Sequence, residues 1–437
     1  MNRKIYIDTL GCAKNEYDSQ MLAASLTERG CVITYDPQDA DILIVNTCGF
    51  IEDAKKESIE RIFELASMRG EDKKLVVTGC LAERYHEELS KEMPEVDIFF
   101  GVNDYDDLPS VLLGEKAASG DMVGDGTDDL RYRKRLFDEG AHYGYLKIAE
   151  GCNNMCSFCA IPLIRGPFRS KKMEDCIHEA EDMAAAGIRE LILIAQDTSQ
   201  YGRDLYGEPR LAELLRRLCG IDGIEWIRLM YVYDNGITDD LIAVIAEEPK
   251  ICKYIDMPIQ HISDNVLRLM RRQSTGGSIK SVIEKLRARI PGVHIRTTLL
   301  VGSPGETEED MDELIDFIDR YRIDRLGAFA FSDEEGTPSF TMDGKVDEDT
   351  RAERRDRVMR HQLAVSEELN EKTVGRTYEV IIDEIIGDGL YAGRTRYDAP
   401  EIDCAVTVSS QAEHVPGDII NVVISDAFEY DLEGREI

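Results

Sequence analysis

Three cysteines within eight residues constrain this chain more than any other feature, in the run Glu150-Gly151-Cys152-Asn153-Asn154-Met155-Cys156-Ser157-Phe158-Cys159. A predicted strand comes directly before them, and thiolates this close in sequence can converge on one inorganic centre. A structural zinc site takes four ligands, and no nearby cysteine or histidine is an obvious fourth. An iron–sulfur cube on three cysteines leaves one iron open for a substrate or cofactor. The competing interpretation is three buried cysteines packed by chance.

The C-x3-C-x2-C spacing resembles that of the radical S-adenosylmethionine (SAM) enzymes, and Phe158 before the last cysteine fits the same pattern. The resemblance implies that Cys152, Cys156 and Cys159 hold a catalytic 4Fe-4S cluster whose open iron chelates the amine and carboxylate of SAM. In that family the reduced cluster cleaves SAM to a 5′-deoxyadenosyl radical.

The first hundred residues repeat one pattern three times. Strand-like runs at Lys4–Leu10, Asp41–Thr47 and Lys74–Thr78 each lead into a cysteine beside a glycine, and these cysteines are Cys12, Cys48 and Cys80. Helical patterns follow at roughly 18–29, 52–68 and 82–91, which predicts a small parallel α/β sheet. Sites in such sheets lie beyond the carboxyl ends of the strands. Any one of these thiols alone would more often be a core cysteine, but three at equivalent positions predict a second metal cluster.

Strand and helix alternate again from about His142, six times, which predicts an open (βα)6 partial barrel. The predicted strands are Tyr145–Ala149, Glu190–Ala195, Trp226–Met230, Tyr254–Met257, His294–Leu300 and Arg325–Phe331. Chemistry in related barrels sits at the carboxyl ends of the strands. With Phe158, the candidate SAM contacts at these ends are Gln196, Asp197, Gln260, His261, Gly302, Gly305 and Glu306. Each is weak alone, and a lone histidine such as His261 is more often a hydrogen-bonded structural residue.

The remaining segments predict a linker, a helix and a β-rich tail. Residues 117–126 read as a surface linker, and the basic run 131–135 reads as a solvated face or a phosphate contact. A charged helix is predicted over 346–372. Short β runs from Gly375 onward predict a small antiparallel barrel. We therefore expect an α/β protein with an N-terminal domain at 1–118, a linker at 119–141, a barrel with its connecting helix at 142–372 and a tail domain at 373–437.

Charge and cysteine content narrow the compartment and the partners. No apolar run approaches the roughly 20 residues of a membrane span, and the amino terminus leads straight into a strand, so we expect neither a membrane segment nor a signal peptide. Eleven cysteines, six of them in metal-like contexts, favour a reducing cytoplasm; we interpret Cys31, Cys176, Cys219, Cys252 and Cys404 as structural. A net charge of −34 disfavours nucleic acid as a partner and favours a basic protein.

The tail is acidic as well, with 15 acidic residues against 5 basic ones from Glu371 to Ile437. A domain that grips RNA is expected to be basic, because phosphate contacts supply most of the affinity. We therefore predict that the tail offers a negative surface to a basic protein, through acidic residues that include Asp383, Glu384, Asp388, Glu401 and Asp403.

Three features together resemble the radical SAM methylthiotransferases: the cysteines at 12, 48 and 80, the GCNNMCSFC run, and the tail segment Gly393–Asp403. In that family an auxiliary-cluster domain, a radical SAM barrel and a TRAM domain follow one another. The runs Leu10-Gly11-Cys12-Ala13-Lys14-Asn15 and Ile161-Pro162-Leu163-Ile164-Arg165-Gly166 are most similar to the branch that modifies an aspartate of ribosomal small-subunit protein twelve.

The resemblance implies two 4Fe-4S clusters, SAM as radical source and methyl donor, and a reducing electron donor such as flavodoxin or ferredoxin. The radical would take hydrogen from the aspartate β-carbon, and a cluster on Cys12, Cys48 and Cys80 would deliver or carry the sulfur. An aliphatic C–H bond has no useful acidity, so a cofactor must supply this chemistry. Three alternatives stay open: the same transfer to a tRNA adenosine, a radical SAM enzyme of another reaction class, and a non-catalytic iron–sulfur carrier.

Overall fold

The computed structural model describes residues 3–70, 72–103, 105–116 and 130–437. The predicted linker segment 117–126 lies outside these residues. The strands of the described chain are β1 Lys4–Thr9, β2 Val32–Ile33, β3 Ile42–Thr47, β4 Lys74–Gly79, β5 Ile98–Phe100, β6 Tyr143–Lys147, β7 Ala149–Glu150, β8 Arg169–Ser170, β9 Glu190–Ile194, β10 Trp226–Leu229, β11 Ile251–Asp256, β12 His294–Val301, β13 Arg325–Ala330, β14 Thr377–Gly387, β15 Leu390–Thr395, β16 Val406–Ser409, β17 Ile419–Ala427 and β18 Leu432–Glu436.

The helices of the same residues are α1 Ala13–Glu28, α2 Glu52–Ser67, α3 Cys80–Glu92, α4 Leu108–Leu112, α5 Ile161–Ile164, α6 Met173–Ala185, α7 Arg203–Tyr206, α8 Leu211–Cys219, α9 Asp239–Glu247, α10 Asp264–Leu269, α11 Gly276–Arg289, α12 Glu308–Tyr321 and α13 Glu348–Glu371. The chain forms two compact units. The cysteine unit comprises Met1–Phe137, Ala149–Glu179 and Ser332–Phe340, and the barrel–tail unit comprises Asp138–Ile148, Ala180–Phe331 and Thr341–Ile437.

The cysteine unit is built on a parallel sheet of five strands within the described residues, in the order β2-β1-β3-β4-β5. Every residue of the central strand β3 is buried, as expected for a parallel strand covered on both faces. The three predicted strands are confirmed as β1, β3 and β4. The edge strands β2 and β5, of two and three residues, are too short to give a periodic signal.

The loop with three close cysteines belongs to this same unit. Ala160 and Ile164 are buried in the hydrophobic core that also contains Ile5, Ile44 and Val76 of the sheet. Strands β7 and β8 pair antiparallel on either side of the loop. The loop is therefore anchored by apolar packing of α5 as well as by backbone pairing.

All three arginines in the run 131–135 form ion pairs with acidic residues of the cysteine unit. Asp106 pairs with Arg131 at 2.7 Å and with Arg133. Buried Arg135 lies 2.9 Å from Glu179. These contacts fasten the run within the cysteine unit, while the side chains of Arg131 and Lys134 are exposed, as predicted for a solvated face.

The barrel–tail unit contains a parallel sheet of six strands among the described residues, in the order β13-β12-β11-β10-β9-β6. Successive strands are neighbours, so each helical crossover leads to the adjacent position, as in the predicted open (βα)6 barrel. The helices α9 and α12 begin at threonine caps: Thr238 accepts from the Leu241 N–H, and Thr307 forms a capping box with Asp310.

The tail forms a closed five-stranded barrel in the described chain, in the order β14-β15-β16-β18-β17. Its strand pairs are antiparallel except β16 with β18, which run parallel. The α/β fold class, the partial barrel and the small C-terminal barrel are thereby confirmed. No helix of the described residues is both long and apolar enough to span a membrane.

Candidate functional site

The N-terminal cysteines lie at one edge of the first sheet. Cys48 and Cys80 come directly after the adjacent strands β3 and β4, and Cys12 follows β1 by three residues. Carboxyl ends of parallel strands meet at the same edge, so the three thiols converge although 68 positions separate the first from the last. Cys12 is exposed, Cys48 is half-buried and Cys80 is buried.

Glycines permit this convergence. A Cβ added to Gly11 would lie 2.7 Å from Cys48 Cβ and 3.0 Å from its Sγ, and Gly11 also has φ +93°. A Cβ on Gly49 would lie 2.7 Å from Leu81 Cα. Side chains at these two positions would push the cysteine loops apart, which explains why a glycine accompanies the cysteine at each strand end.

The thiols of this group influence one another. Burial, together with the neighbouring Cys80 and Cys12, raises the pKa of Cys48 to about 12. Burial also raises the pKa of Cys80, although the Arg165 guanidinium opposes that change. Crowded thiols with raised pKa values become thiolates when a metal binds them, because metal ligation displaces the proton.

Asn15 connects the loops that carry these cysteines. Its amide Nδ2 donates to Leu10 O at 2.7 Å and to Thr47 O at 3.0 Å, on the loops that lead to Cys12 and Cys48. Its Oδ1 accepts from Arg165 Nη2 at 2.9 Å. A single buried amide therefore holds two strand ends together and receives an arginine from a third segment.

Arg165 is buried among acids and sulfur. Its Nη1 donates to Asp18 at 2.7 Å and to Glu150 at 3.2 Å, and its Nη2 donates to Cys80 Sγ at 3.4 Å. Burial lowers the pKa of Arg165, but Cys80, Glu150 and Asp18 together raise it well above its ordinary value. The guanidinium is therefore a fixed positive charge, and it lies between Cys80 and the residue two positions before Cys152.

The compact triad is shaped by tight backbone contacts. A Cβ on Gly151, where φ is +75°, would lie 2.1 Å from Pro167 O. The Cys152 N–H donates to Gly166 O at 3.2 Å, and the Cys159 N–H donates to Cys156 O at 3.2 Å. Cys152 and Cys156 are buried and Cys159 is half-buried. The structure thus places both cysteine triads, together with half-buried Phe158, in the cysteine unit.

The other candidate SAM contacts lie in the barrel–tail unit, after strands β9, β11 and β12. Gln196 is half-buried, whereas Asp197 is buried and accepts from Ser199 N at 3.1 Å and Ser199 Oγ at 2.5 Å. Gln260 has φ +70°, and its backbone joins β12 through Thr298 O and the Leu300 N–H. Asp197 and Gln260 therefore have clear structural roles at the strand ends.

Glu306 organises the loop after β12. Its carboxylate accepts from Gly302 N at 2.8 and 2.9 Å and from Arg354 Nη1 at 2.9 Å. Burial raises the pKa of Glu306, although these hydrogen bonds and Arg354 oppose the rise. A Cβ on Gly302 would lie 2.5 Å from Arg351 Cγ, and one on Gly305 would lie 2.9 Å from a Leu269 methyl carbon. Both glycines are therefore needed for close packing.

His261 is buried and neutral. Its Nδ1 accepts from the Ser263 N–H at 3.1 Å, which places the ring proton on Nε2, 3.8 Å from Glu306 Oε2. Burial lowers the pKa of His261 to about 4. Nδ1 is therefore hydrogen-bonded within the loop, whereas buried Nε2 has no hydrogen-bond partner among the described residues.

Comparisons with known proteins agree with this architecture. Residues 4–101 match the uncharacterized protein family UPF0004, residues 146–318 the radical SAM superfamily and residues 374–437 the TRAM domain. The protein named ribosomal protein uS12 methylthiotransferase RimO from Clostridioides difficile is 46% identical over 99% of this chain and 98% of its own length. The protein of the same name from Desulforamulus reducens is 47% identical over 98% of each. The chain belongs to the RimO family.

Solved structures support the fold alone. The radical SAM methyltransferase TsrM from Kitasatospora setae, with cobalamin and a 4Fe-4S cluster bound, superposes with a TM-score of 0.58 at 14% identity, covering 90% of this chain and 77% of that one. The cobalamin-dependent radical SAM enzyme OxsB superposes with a TM-score of 0.52 at 11% identity, over 83% of this chain and 56% of its own.

RimO membership makes the chain a radical SAM methylthiotransferase that uses SAM and 4Fe-4S clusters. Two sets of three cysteines fit such clusters, because cluster irons are held by thiolates. No group of three or more histidine, cysteine, aspartate or glutamate side chains in the described chain is arranged to hold a single metal ion. A cluster differs from a site for a single ion, because each of its cysteines binds a separate iron.

No sequence pattern predicts that Arg165, Asn15 and Asp18 belong to the site. Arg165 stands in the Ile161–Gly166 run that carried the resemblance to this branch of the family, but a lone arginine in a loop has no periodic pattern. Asn15 and Asp18 sit in the first turns of α1, where their burial follows from the adjoining cysteine loop rather than from an apolar period.

The barrel–tail unit also contains a buried ion-pair network that no sequence pattern predicts. Glu190 accepts from Arg228 Nε at 2.7 Å and from Arg394 Nη1 at 2.5 Å. Arg394 continues to Asp383 at 2.9 Å, and His142 Nε2 lies 2.7 Å from the same carboxylate. Asp383 is therefore engaged by the barrel and by its own strand neighbour.

The predicted acidic surface of the tail needs correction for this reason. Asp403 has a side chain only 2% exposed and accepts from the Tyr254 hydroxyl at 2.6 Å. It is a structural residue, like Asp383. Glu401 is exposed and accepts from a tyrosine of β6 at 3.0 Å, and Glu384 and Asp388 are exposed. Of the five acids, only these three lie on the surface.

Proposed function

We propose that this chain transfers a methylthio group to the β-carbon of an aspartate in ribosomal protein uS12. The observation that carries the proposal is the presence of two separate all-cysteine triads in one unit, since a radical SAM enzyme of ordinary type needs only the compact one. Relatives that carry the uS12 methylthiotransferase name align over essentially the whole chain, which supports the same substrate.

The proposed ligand sets are Cys152, Cys156 and Cys159 for the radical cluster, and Cys12, Cys48 and Cys80 for the auxiliary cluster. When bound, the clusters and SAM supply a radical able to open an unactivated C–H bond, together with the sulfur and the methyl group. The protein contributes alignment and protection from water. Gly11 and Gly49 let the dispersed thiols approach, and Gly151 folds the compact loop.

We also propose the residues that contact SAM, the electron donor and the domain boundaries. Phe158 and the candidates after the barrel strands would bind SAM; those candidates are Gln196, Asp197, Gln260, His261, Gly302, Gly305 and Glu306. A flavodoxin or ferredoxin would deliver electrons in the cytoplasm. The proposed domain boundaries lie at residues 118, 141 and 372. Because the chain carries a net charge of −34, a basic protein is favoured over nucleic acid.

The test is a competition between substrates. The anaerobically reconstituted chain is incubated with SAM, reductant, a sulfur source, uS12 and unmodified tRNA, and both products are analysed by mass spectrometry. We expect one methylthio group on a uS12 aspartate, none on tRNA, and release of 5′-deoxyadenosine. Methylthiolated tRNA with unmodified uS12 would mean that the substrate of the chain is tRNA. Absence of 5′-deoxyadenosine would favour an iron–sulfur carrier.

A further inference from the structure

Arg165 contacts the sulfur of a proposed cluster ligand. Its side chain is 2% exposed, and Nη2 donates to Cys80 Sγ at 3.4 Å while also donating to Asn15 Oδ1 at 2.9 Å. Asn15 in turn binds the loops before Cys12 and Cys48. Arg165 is thus connected to all three loops of the auxiliary triad, and it contacts one of the sulfurs directly.

Charge pairing alone does not account for the sulfur contact. Asp18 and Glu150 already supply two carboxylates for one guanidinium, at 2.7 and 3.2 Å, and both acids contact Nη1. A buried cation needs partners because desolvation is costly, but these two carboxylates meet that need. Nη2 is left to bind Asn15 Oδ1 and Cys80 Sγ.

We propose that Arg165 is a positioning residue that donates a hydrogen bond to the Cys80 thiolate and thereby raises the reduction potential of the auxiliary cluster. The proposal rests on the proposed function, because it requires Cys80 to be a cluster ligand. Hydrogen bonds to ligand sulfur and nearby net charge are among the main determinants of cluster potential. A donor that is also cationic stabilises the more negative, reduced cluster most strongly.

The experiment compares the potentials of the two clusters in the full-length, reconstituted enzyme by redox titration followed by EPR. The Cys152→Ala/Cys156→Ala/Cys159→Ala chain identifies the auxiliary signal. For Arg165→Met we expect the ratio of reduced to oxidised auxiliary cluster at a fixed potential to fall about tenfold, a shift of about 59 mV for a one-electron couple. Arg165→Lys, which keeps a cation, should recover part of the shift.

Arg135→Met is the matched control. Arg135 is a buried arginine of the same unit that pairs with Glu179 and lies over the ring of Tyr17. Its loss should leave the auxiliary potential in place, even if it lowers stability. ENDOR spectra recorded in heavy water provide a second readout, since the exchangeable deuteron coupled to the auxiliary cluster should disappear in Arg165→Met.

Two failures are distinguishable. An unchanged auxiliary potential and deuteron coupling in iron-replete Arg165→Met overturns the inference and leaves the proposed function standing. If Arg165→Met does not hold iron, the same two measurements on Arg165→Lys decide, and an unmoved potential there overturns the inference. An iron-free Cys152→Ala/Cys156→Ala/Cys159→Ala chain overturns the auxiliary cluster itself, and with it the proposed function.

Discussion

The cysteines of the two triads are brought together in different ways. Cys152, Cys156 and Cys159 lie on one loop of eight residues, so their spacing alone brings them together. Cys12 and Cys80 meet only because β1, β3 and β4 are neighbours in the sheet and because glycines beside the cysteines let the loops touch. The compact triad therefore depends on local backbone geometry, whereas the dispersed triad depends on the fold.

The largest expected effect tests the compact triad. Replacing Cys152, Cys156 and Cys159 by alanine should abolish SAM cleavage and leave about half of the roughly eight irons that two 4Fe-4S clusters contain. Iron analysis and chromatographic detection of 5′-deoxyadenosine measure both effects. Iron that stayed at the wild-type level in this variant would remove the compact loop from the ligand set.

The variant without the dispersed triad should keep SAM cleavage, unlike the variant without the compact triad. Alanine at Cys12, Cys48 and Cys80 should also leave about half of the iron, but reductive SAM cleavage should continue while the methylthio product disappears. The physical reason is that these cysteines would serve sulfur transfer rather than radical formation. Full product formation by this variant would make the N-terminal cysteines structural.

A glycine substitution separates the two triads without touching a cysteine. Gly11→Ala places a methyl group 2.7 Å from Cys48 Cβ, so we expect loss of about half of the iron with SAM cleavage retained. Gly30→Ala is the matched control, because its φ of +83° resembles the +93° of Gly11 but no atom lies within 4 Å of the added carbon. The control should hold its iron and lose only about 1–2 kcal/mol of stability. Equal iron in the two variants would contradict the contact argument.

The same contrast between local and long-range order explains what the sequence could predict. The charged helix predicted over 346–372 is observed as α13 Glu348–Glu371, and the Asp347 side chain at its start accepts from the Thr350 N–H. The six parallel strands of the barrel–tail unit were also found. The short strands β2 and β5 were missed, since two or three residues exist as strands only through their neighbours in the sheet.

Site residues divide in the same way. A cysteine next to a strand end can be recognised in sequence, and the expected sheet edge does bring Cys12, Cys48 and Cys80 together; their metal ligation and the SAM contacts stay predictions. Arg165 was not predictable, because its partners come from three separate segments, α1, α3 and β7. The count of acidic and basic residues predicts the negative charge of the tail, but it cannot distinguish paired Asp383 from exposed Glu384.

A substitution that destabilises the barrel–tail unit should leave iron bound at both cysteine triads. Glu190→Gln removes the charge that Arg228 and Arg394 share inside this unit, so we expect about 3–5 kcal/mol of destabilisation. Trp226, the single tryptophan, is buried in β10 and reports unfolding of this unit by its fluorescence. Iron content per folded chain should not change, which separates this variant from the glycine variant.

The pH dependence of the same variant has a defined sign. Burial raises the pKa of Glu190, but Arg228 and Arg394 lower it below its ordinary value. The carboxylate therefore stabilises the fold above its unfolded pKa of about 4.3, and this contribution is lost as pH falls through the lower folded value. Urea unfolding at pH 7 and below pH 4 should show a smaller acid-induced loss in Glu190→Gln than in the wild type. Parallel pH profiles would contradict the assignment.

The smallest expected effect concerns substrate docking by the hairpin of β14 and β15. Glu384 and Asp388 are exposed there and flank Ile385 and Ile386, which are also exposed, at 53% and 48%. A negative rim around exposed apolar side chains suits a basic protein such as the proposed substrate. Reversing both charges to lysine should raise KM for uS12 several-fold, since exposed charges contribute about 0.2–1 kcal/mol each, and should leave SAM cleavage without substrate unchanged.

Asp426→Lys/Glu433→Lys is the control for total charge. These two residues are exposed partners on β17 and β18 of the same barrel, and their reversal changes the net charge by the same amount. If docking is local to the hairpin, only the Glu384→Lys/Asp388→Lys enzyme should show the raised KM. Its difference from wild type should shrink with added salt, because the screening length falls from about 10 Å at 0.1 M to about 3 Å at 1 M. Equal KM increases in both variants would mean that the tail attracts its substrate through overall charge rather than through the hairpin acids.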